Sequence, residues 1–445
     1  MVNIYATHVS MALPKRSYGY ATTGKLSVNR SRLLPLISGL TLMYYTLQDG
    51  ALASSHLFPY PQIDDLDSYV ARVRPCNPVS VISPHKFTDQ ARLFTSLFTG
   101  RVMYAVKCNP DERVLHALIA GGIDSFDCSS IKEIRLMRHL KPDASLYYMN
   151  PIKPRESIRE AYFTHHVRVF VLDSADELKK IIEETNGAKD LTLFVRLAIA
   201  KQNVAIDFSE KFGASPMLTG ELLRLARPHC KKLGLAFHVG THCLETKAYD
   251  MATRLACNII KSAGINVDVL DIGGGFPALL DPADPPPPLQ EYFRAVESAL
   301  KDEDLPQLEL LCEPGRALVA SGGKLVVRVD GRKGDLLYLN DGTYGSLFEC
   351  GKQINLQYPV RMVRIKGQST SPLSPFRFAG PTCDSLDMMN GPFYLHEDIN
   401  EGDYIVIDQM GAYGETSRTP FNGFDEVIYV ELLQKKKSVR LKKAA

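Results

Sequence analysis

The strongest constraint in this chain is a repeat of short β-branched runs and amphipathic helical stretches across residues 78–316. Residues 79–83 (VSVIS) read as a strand, 89–98 as a helix, 102–106 as the next strand and 112–120 as the next helix. Further strands are predicted at 145–149, 168–172, 192–197, 234–239, 267–272 and 307–312, with helical periodicity over 174–184 and 216–225. Repeated strand–helix units imply parallel strands, and this many over about 240 residues predicts a (β/α)8 barrel. After Arg316 the pattern changes. Short strands at 324–329, 336–339, 360–365, 377–379, 404–407 and 426–432 are separated by Gly, Pro, Asn and Asp, which predicts an all-β second domain. The expected α/β division is an extension over 1–58, a segment over 59–82 joining the β domain, a barrel over 83–320, the β domain over 321–434 and a basic tail over 435–445.

Composition narrows the function classes. A formal charge of +2 on 445 residues gives no global field that would draw nucleic acid or a membrane. Nine cysteines, an odd number with no C-x-x-C spacing, argue against a disulfide framework or a zinc site and fit a reducing, cytoplasmic compartment. His242 and Cys243 invite a metal reading, but no second ligand cluster supports it, so no metal is expected. The first 48 residues hold no Asp or Glu and carry Lys15, Arg16, Lys25, Arg30 and Arg32, the composition of an organellar transit peptide. A disordered or added extension accounts for the same residues and is preferred.

Several segments could carry chemistry. In Tyr104-Ala105-Val106-Lys107-Cys108-Asn109 a lysine ends an apolar strand, at the rim where barrel enzymes place reactive groups. A lysine there can form a Schiff base once its pKa is lowered; alone, it could equally snorkel to water. Asp271-Ile272-Gly273-Gly274-Gly275-Phe276 places three glycines after a strand, where backbone N–H groups can approach a phosphate. Cys312-Glu313-Pro314-Gly315-Arg316 offers a carboxylate for a protonated pyridine nitrogen and a guanidinium for phosphate. His238, in FHVGTHC, can lie flat on an aromatic ring, and Thr241 can donate to phosphate. Cys383-Asp384, in GPTCDSLD, pairs a proton donor with an anion for a cationic substrate tail, or is a buried thiol beside a solvated carboxylate.

Taken in order, these segments resemble the fold-type III pyridoxal-phosphate (PLP) decarboxylases of the ornithine decarboxylase family. The resemblance runs from about Pro78 to Leu433 and rests on YAVKCN, HVGTHC, DIGGGFP, CEPGR, GPTCDSLD and GAYGETSRTPFNGF. It implies that Lys107 carries PLP as a Schiff base, that His238 stacks on the ring and that Glu313 binds the ring nitrogen. It places Thr241, Gly274, Gly275, Gly315, Arg316 and Tyr413 at the phosphate, and Asp127, Glu133 and Arg196 around the lysine and ring. It makes Cys383 the proton donor after carbon dioxide leaves, Asp384 the ligand of the substrate's distal ammonium and Tyr344 a neighbour of the substrate. In the family the Cys–Asp pair comes from the other subunit, so a homodimer with shared active sites is implied.

The chain also departs from the family pattern. Thr241 stands for its Ser and His242 for its next Gly. The stretch LFECGKQINLQYPVR lacks a second substrate Asp, for which Glu349 is a candidate substitute. The expected reaction is decarboxylation of a basic amino acid, ornithine to putrescine first. Lysine or diaminopimelate decarboxylation, or a non-catalytic antizyme-inhibitor-like homologue, are the alternatives. Asp384, where the diaminopimelate branch carries Glu, favours a cationic tail.

Overall fold

In the computed structural model, residues 60–199 and 211–434 are described. The expectations for 1–58 and for the basic tail lie outside the described residues. Two strands, β1 (Gln62–Ile63) and β2 (Val79–Ile82), precede the barrel. The barrel strands are β3 (Arg101–Ala105), β4 (Ser125–Cys128), β5 (Ser145–Tyr148), β6 (Val169–Leu172), β7 (Thr192–Arg196), β8 (Lys232–Ala236), β9 (Val269–Asp271) and β10 (Glu309–Cys312). They close in sequence order, with β10 returning to β3. After the barrel come β11 (Gly323–Lys333), β12 (Leu336–Leu339), β13 (Val360–Val363), β14 (Leu373–Ala379), β15 (Met388–His396), β16 (Tyr404–Asp408) and β17 (Ile428–Leu432). Together with β1 and β2 these form a second sheet.

The barrel strands are short, apolar and buried on both faces, as strands covered by helices outside and side chains inside must be. Serine caps start several surrounding helices. Ser130 and Ser174 each accept from the backbone N–H three residues on, at Glu133 and Glu177, ahead of Ile131–Leu140 and Ala175–Glu184. No helix of the described residues is long and apolar enough to cross a membrane.

Residues 79–82 form β2, which pairs with β11 and β17 in the second sheet, in line with the expected segment over 59–82 that joins the β domain; the strand–helix repeat is then one barrel strand short. The barrel position that this leaves open is filled by β4, whose sequence SFDC carries no β-branched residue and gives no strand signal. Its alternate residues still go inside, because Asp127 is buried against a cation.

The second domain hooks onto the barrel rim beside Lys107. Asn109 Nδ2 donates to the Gly411 carbonyl at 2.8 Å, and the Tyr413 N–H donates to the Cys108 carbonyl at 2.9 Å. Gly411 permits this approach, since a β-carbon there would fall 1.9 Å from the Val319 carbonyl oxygen. The ends of β3 and β10 and the 409–414 loop thus form one wall of the rim.

Candidate active site

The C-terminal ends of the barrel strands bring the predicted groups together. Ala105 lies in register with Asp127, so Lys107, two residues beyond, reaches across to it. Lys107 Nζ donates to Asp127 Oδ2 at 2.7 Å; the carboxylate is buried and the lysine opens into a cavity of about 430 Å³. Arg196, His238, Thr241, Glu313, Glu349 and Tyr413 line the same cavity. A narrower recess of about 30 Å³ continues from it between Thr241, His242, Gly275, Gly315 and Arg316. A larger depression, about 960 Å³, lies at the opposite mouth of the barrel around Arg101, Asp124 and Glu309, away from all of these groups.

Charge in this cavity is uneven. Glu313 is buried beside Asp271 and Asp127, and burial first, then these neighbours, push its carboxyl well above the usual range. Burial likewise lifts Asp271 to about 6. As carboxylates, Asp271 Oδ2 and Glu313 Oε1 have no donor; with Glu313 protonated, its O–H bonds the pair. Burial favours a neutral Lys107, yet Asp127 and Glu313 outweigh it and raise the lysine above its ordinary value. A Schiff-base lysine was expected to have a lowered pKa; here the direction is the opposite, because the carboxylates of Asp127 and Glu313 stabilise the charged amine more than burial disfavours it. His238 is held neutral by burial, with Arg196 and Lys107 acting in the same sense; its Nδ1 accepts from the Gly240 N–H at 3.0 Å.

Glu133 stands behind the lysine, accepting from the Ser129 N–H at 2.6 Å, with a carboxyl raised by burial. Gly275, at φ 95, leaves room for the recess, since a β-carbon there would meet the Gly240 carbonyl at 2.3 Å. Gly274 packs its backbone onto Glu313 and His238 in the same way.

Other predicted residues lie elsewhere. Cys383 is exposed, its N–H donating to Asn422 Oδ1 at 3.1 Å. Asp384 accepts from the Tyr344 hydroxyl and from the Leu386 N–H, and the tyrosine's hydrogen bond holds its carboxyl below the usual range. Neither residue lines the Lys107 cavity. Tyr344 lines an adjoining cavity of about 260 Å³, which shares Phe348, Ile354 and Ser417 with the larger one. Glu349 is not free to receive a substrate cation. Arg316 Nη2 donates to its Oε1 at 2.5 Å and the Tyr358 hydroxyl to its Oε2 at 2.6 Å.

Sequence reasoning passed over two residues. Asp271 opens DIGGGFP ahead of the glycines; a carboxylate at the inner end of an otherwise apolar strand was the available signal. Tyr358, which also accepts from Arg316 at 3.1 Å, had no signal at all.

The buried polar atoms fit a ligand with a basic ring nitrogen and a phosphate. Asp127 Oδ1 lacks a donor at the deep end, beside the proton-sharing Asp271–Glu313 pair, and Arg316 Nε lacks an acceptor at the recess. A closed parallel barrel with a rim lysine, an acidic floor and a glycine-lined recess defines a PLP-binding barrel enzyme. Residues 85–320 match the family model for the pyridoxal binding domain of pyridoxal-dependent decarboxylases, and the chain belongs to that family. Its cofactor is pyridoxal 5′-phosphate. The chain is 33% identical to ornithine decarboxylase of Schizosaccharomyces pombe over 74% of this chain and 77% of the relative. It is 32% identical to the lysine/ornithine decarboxylase of Selenomonas ruminantium over 73% and 81%. Among solved structures, the lysine/ornithine decarboxylase of Vibrio vulnificus complexed with putrescine aligns with a TM-score of 0.69 at 28% identity, covering 84% of this chain and 99% of that one.

Proposed function

We propose that this enzyme decarboxylates a basic amino acid, L-ornithine before lysine, and that Lys107 holds the cofactor. The observation that carries this reading is the Lys107 cavity itself: a cation on an acidic floor, continuous with a glycine-lined recess that ends on Arg316. PLP bound there supplies an electron-accepting ring that stores the electrons left when carbon dioxide departs. The chain's own residues do the rest. Asp127 orients the Lys107 amine. Glu313, kept proton-rich by burial and by Asp271, holds a proton for the ring nitrogen. Neutral His238 presents a flat face to the ring without competing charge. Thr241, Gly274, Gly275, Gly315, Arg316 and Tyr413 hold the phosphate, and Arg196 balances the carboxylates beneath.

The proton returned to the substrate carbon comes from the Cys383 thiol, and Asp384 binds the distal ammonium. These two lie outside the cavity of their own chain, which supports a homodimer in which each subunit completes the other's site. The unpaired cysteines support a reducing, cytoplasmic setting. The test is carbon dioxide release from ornithine, lysine, arginine and diaminopimelate by the PLP-loaded protein. Ornithine should be turned over with the highest kcat/KM; no release from any of the four would sink the reading.

A further inference from the structure

The recess that ends on Arg316 has two features that pull against anion binding. First, Arg316 is buried with its charge already paired: Glu349 takes Nη2, and the Glu349–Tyr358–Arg316 bonds close into a ring. A doubly charged phosphate entering here meets a guanidinium whose charge is largely cancelled, with a carboxylate directly behind it. Second, the residue after Thr241 is His242, held in the left-handed region at φ 56, where a β-carbon carries a conformational cost. Its ring lines the same recess, and its Nδ1 is buried without a hydrogen-bond partner.

The two features resolve each other. We propose that His242 is a ligand of the cofactor phosphate and takes up a proton from solvent as the phosphate enters, restoring the positive charge that Glu349 cancels on Arg316. The inference rests on the reading that this recess takes the phosphate. Without an anion, burial and the nearby Arg316 hold the imidazole down to about 4, so it enters the reaction neutral. A phosphate dianion reverses both causes, because it supplies a negative neighbour and an acceptor for the buried nitrogen. The other ionisable groups around the recess are Lys107, His238, Glu313, Arg316 and Tyr413, with Glu349 behind. Lys107 and Arg316 are cations throughout, burial keeps Glu313 proton-rich already and pushes Tyr413 up, and His238 is held neutral by burial and by Arg196 and Lys107. That leaves His242 as the group in the recess best placed to gain a proton.

The test is calorimetric titration of the cofactor-depleted full chain with pyridoxine 5′-phosphate, which carries the phosphate but no aldehyde to react with Lys107. Buffers of different ionisation heat, between pH 7 and 8.5, report proton uptake above the second ionisation of the phosphate, about 6. Wild type should take up close to one proton and bind more weakly as the pH rises. His242→Asn and His242→Gly both accept the left-handed backbone, so either keeps the loop. Both should lose the proton uptake, and His242→Asn should bind about tenfold more weakly at pH 7, the worth of one charge-assisted bond. Unchanged uptake and affinity in both variants overturn the inference. Pyridoxine without the phosphate separates this from failure of the underlying reading. If it binds wild type as tightly as its phosphate ester does, the recess is not a phosphate site and both fall. If the phosphate strengthens binding while the variants match wild type, only the role of His242 falls.

Discussion

Replacing Asp271 with Asn should stabilise the cofactor-free protein. Asp271 is fully buried, and burial pushes its carboxyl up to about 6 from its ordinary 3.8. Ionising it in the fold therefore costs roughly 3 kcal/mol relative to the unfolded chain. The sign follows from proton binding. Between the two values the folded state holds the extra proton, so the stability it contributes is complete below 3.8 and lost as the pH rises through 6. Asn removes the titration while keeping an oxygen for the Gly273 N–H, which Asp271 Oδ1 now accepts at 2.9 Å. Its amide can also donate toward the Glu313 oxygen that lacks a donor. The gain should be about half-developed at pH 5 and complete above pH 7, at roughly 1–3 kcal/mol once sharing between Asp271 and Glu313 is allowed for. Thermal unfolding of the cofactor-depleted variant and wild type at pH 5 and pH 8 reads this as a Tm rise of a few degrees, larger at pH 8. An unchanged or lower Tm at pH 8, or a rise of equal size at both, would refute the electrostatic origin.

Lys107→Arg keeps a cation against Asp127 but removes the amine. Borohydride treatment should fix the cofactor to the wild-type peptide containing Lys107 and to none in the variant, and carbon dioxide release should fall to background. Asp384→Ala should raise the KM for ornithine about tenfold with a smaller change in kcat, as expected on losing one charge-assisted contact; an unchanged KM contradicts the assignment. Two inactive variants, Lys107→Arg and Cys383→Ala, should recover about a quarter of wild-type activity when their subunits are mixed and exchanged, since half the dimers become heterodimers with one intact site of two. No recovery after confirmed exchange rules out a shared site.

The barrel was legible because buried parallel strands separated by helices leave a repeated signature, and seven of its strands stand close to where periodicity put them. The exceptions have physical causes. An apolar run of four or five residues looks the same inside a barrel and in the middle of a second sheet, so the strand at 79–82 opens the strand–helix repeat in sequence while pairing in the β domain to which 59–82 was assigned. β4 was silent because SFDC has no β-branched residue and puts Ser125 and Asp127 on its inner face, where Asp127 is held by Lys107, 20 residues away. β15 was missed because Gly391 and Pro392 interrupt it. At the site, individual groups at strand ends were readable one by one. The Arg316–Glu349–Tyr358 ring was not, since it joins residues 33 and 42 apart through side chains that follow no period.

That ring also bears on which ligand the cavity can take. At the deep end, Asp127, Asp271 and Glu313 favour a partner that accepts or carries a proton, and a flat neutral His238 favours an aromatic ring beside them. At the recess, Arg316, Thr241 and the glycine backbone favour an anion, but Glu349 sets a condition on it. A weak monoanion gains little from a guanidinium already paired, whereas a dianion can draw a proton onto His242 and keep Arg316 as well. The same geometry that suits a pyridine ring at one end therefore selects a doubly charged phosphate over a carboxylate at the other. Phe348 and Ile354 line the larger cavity outside the recess and make that part of it the more apolar.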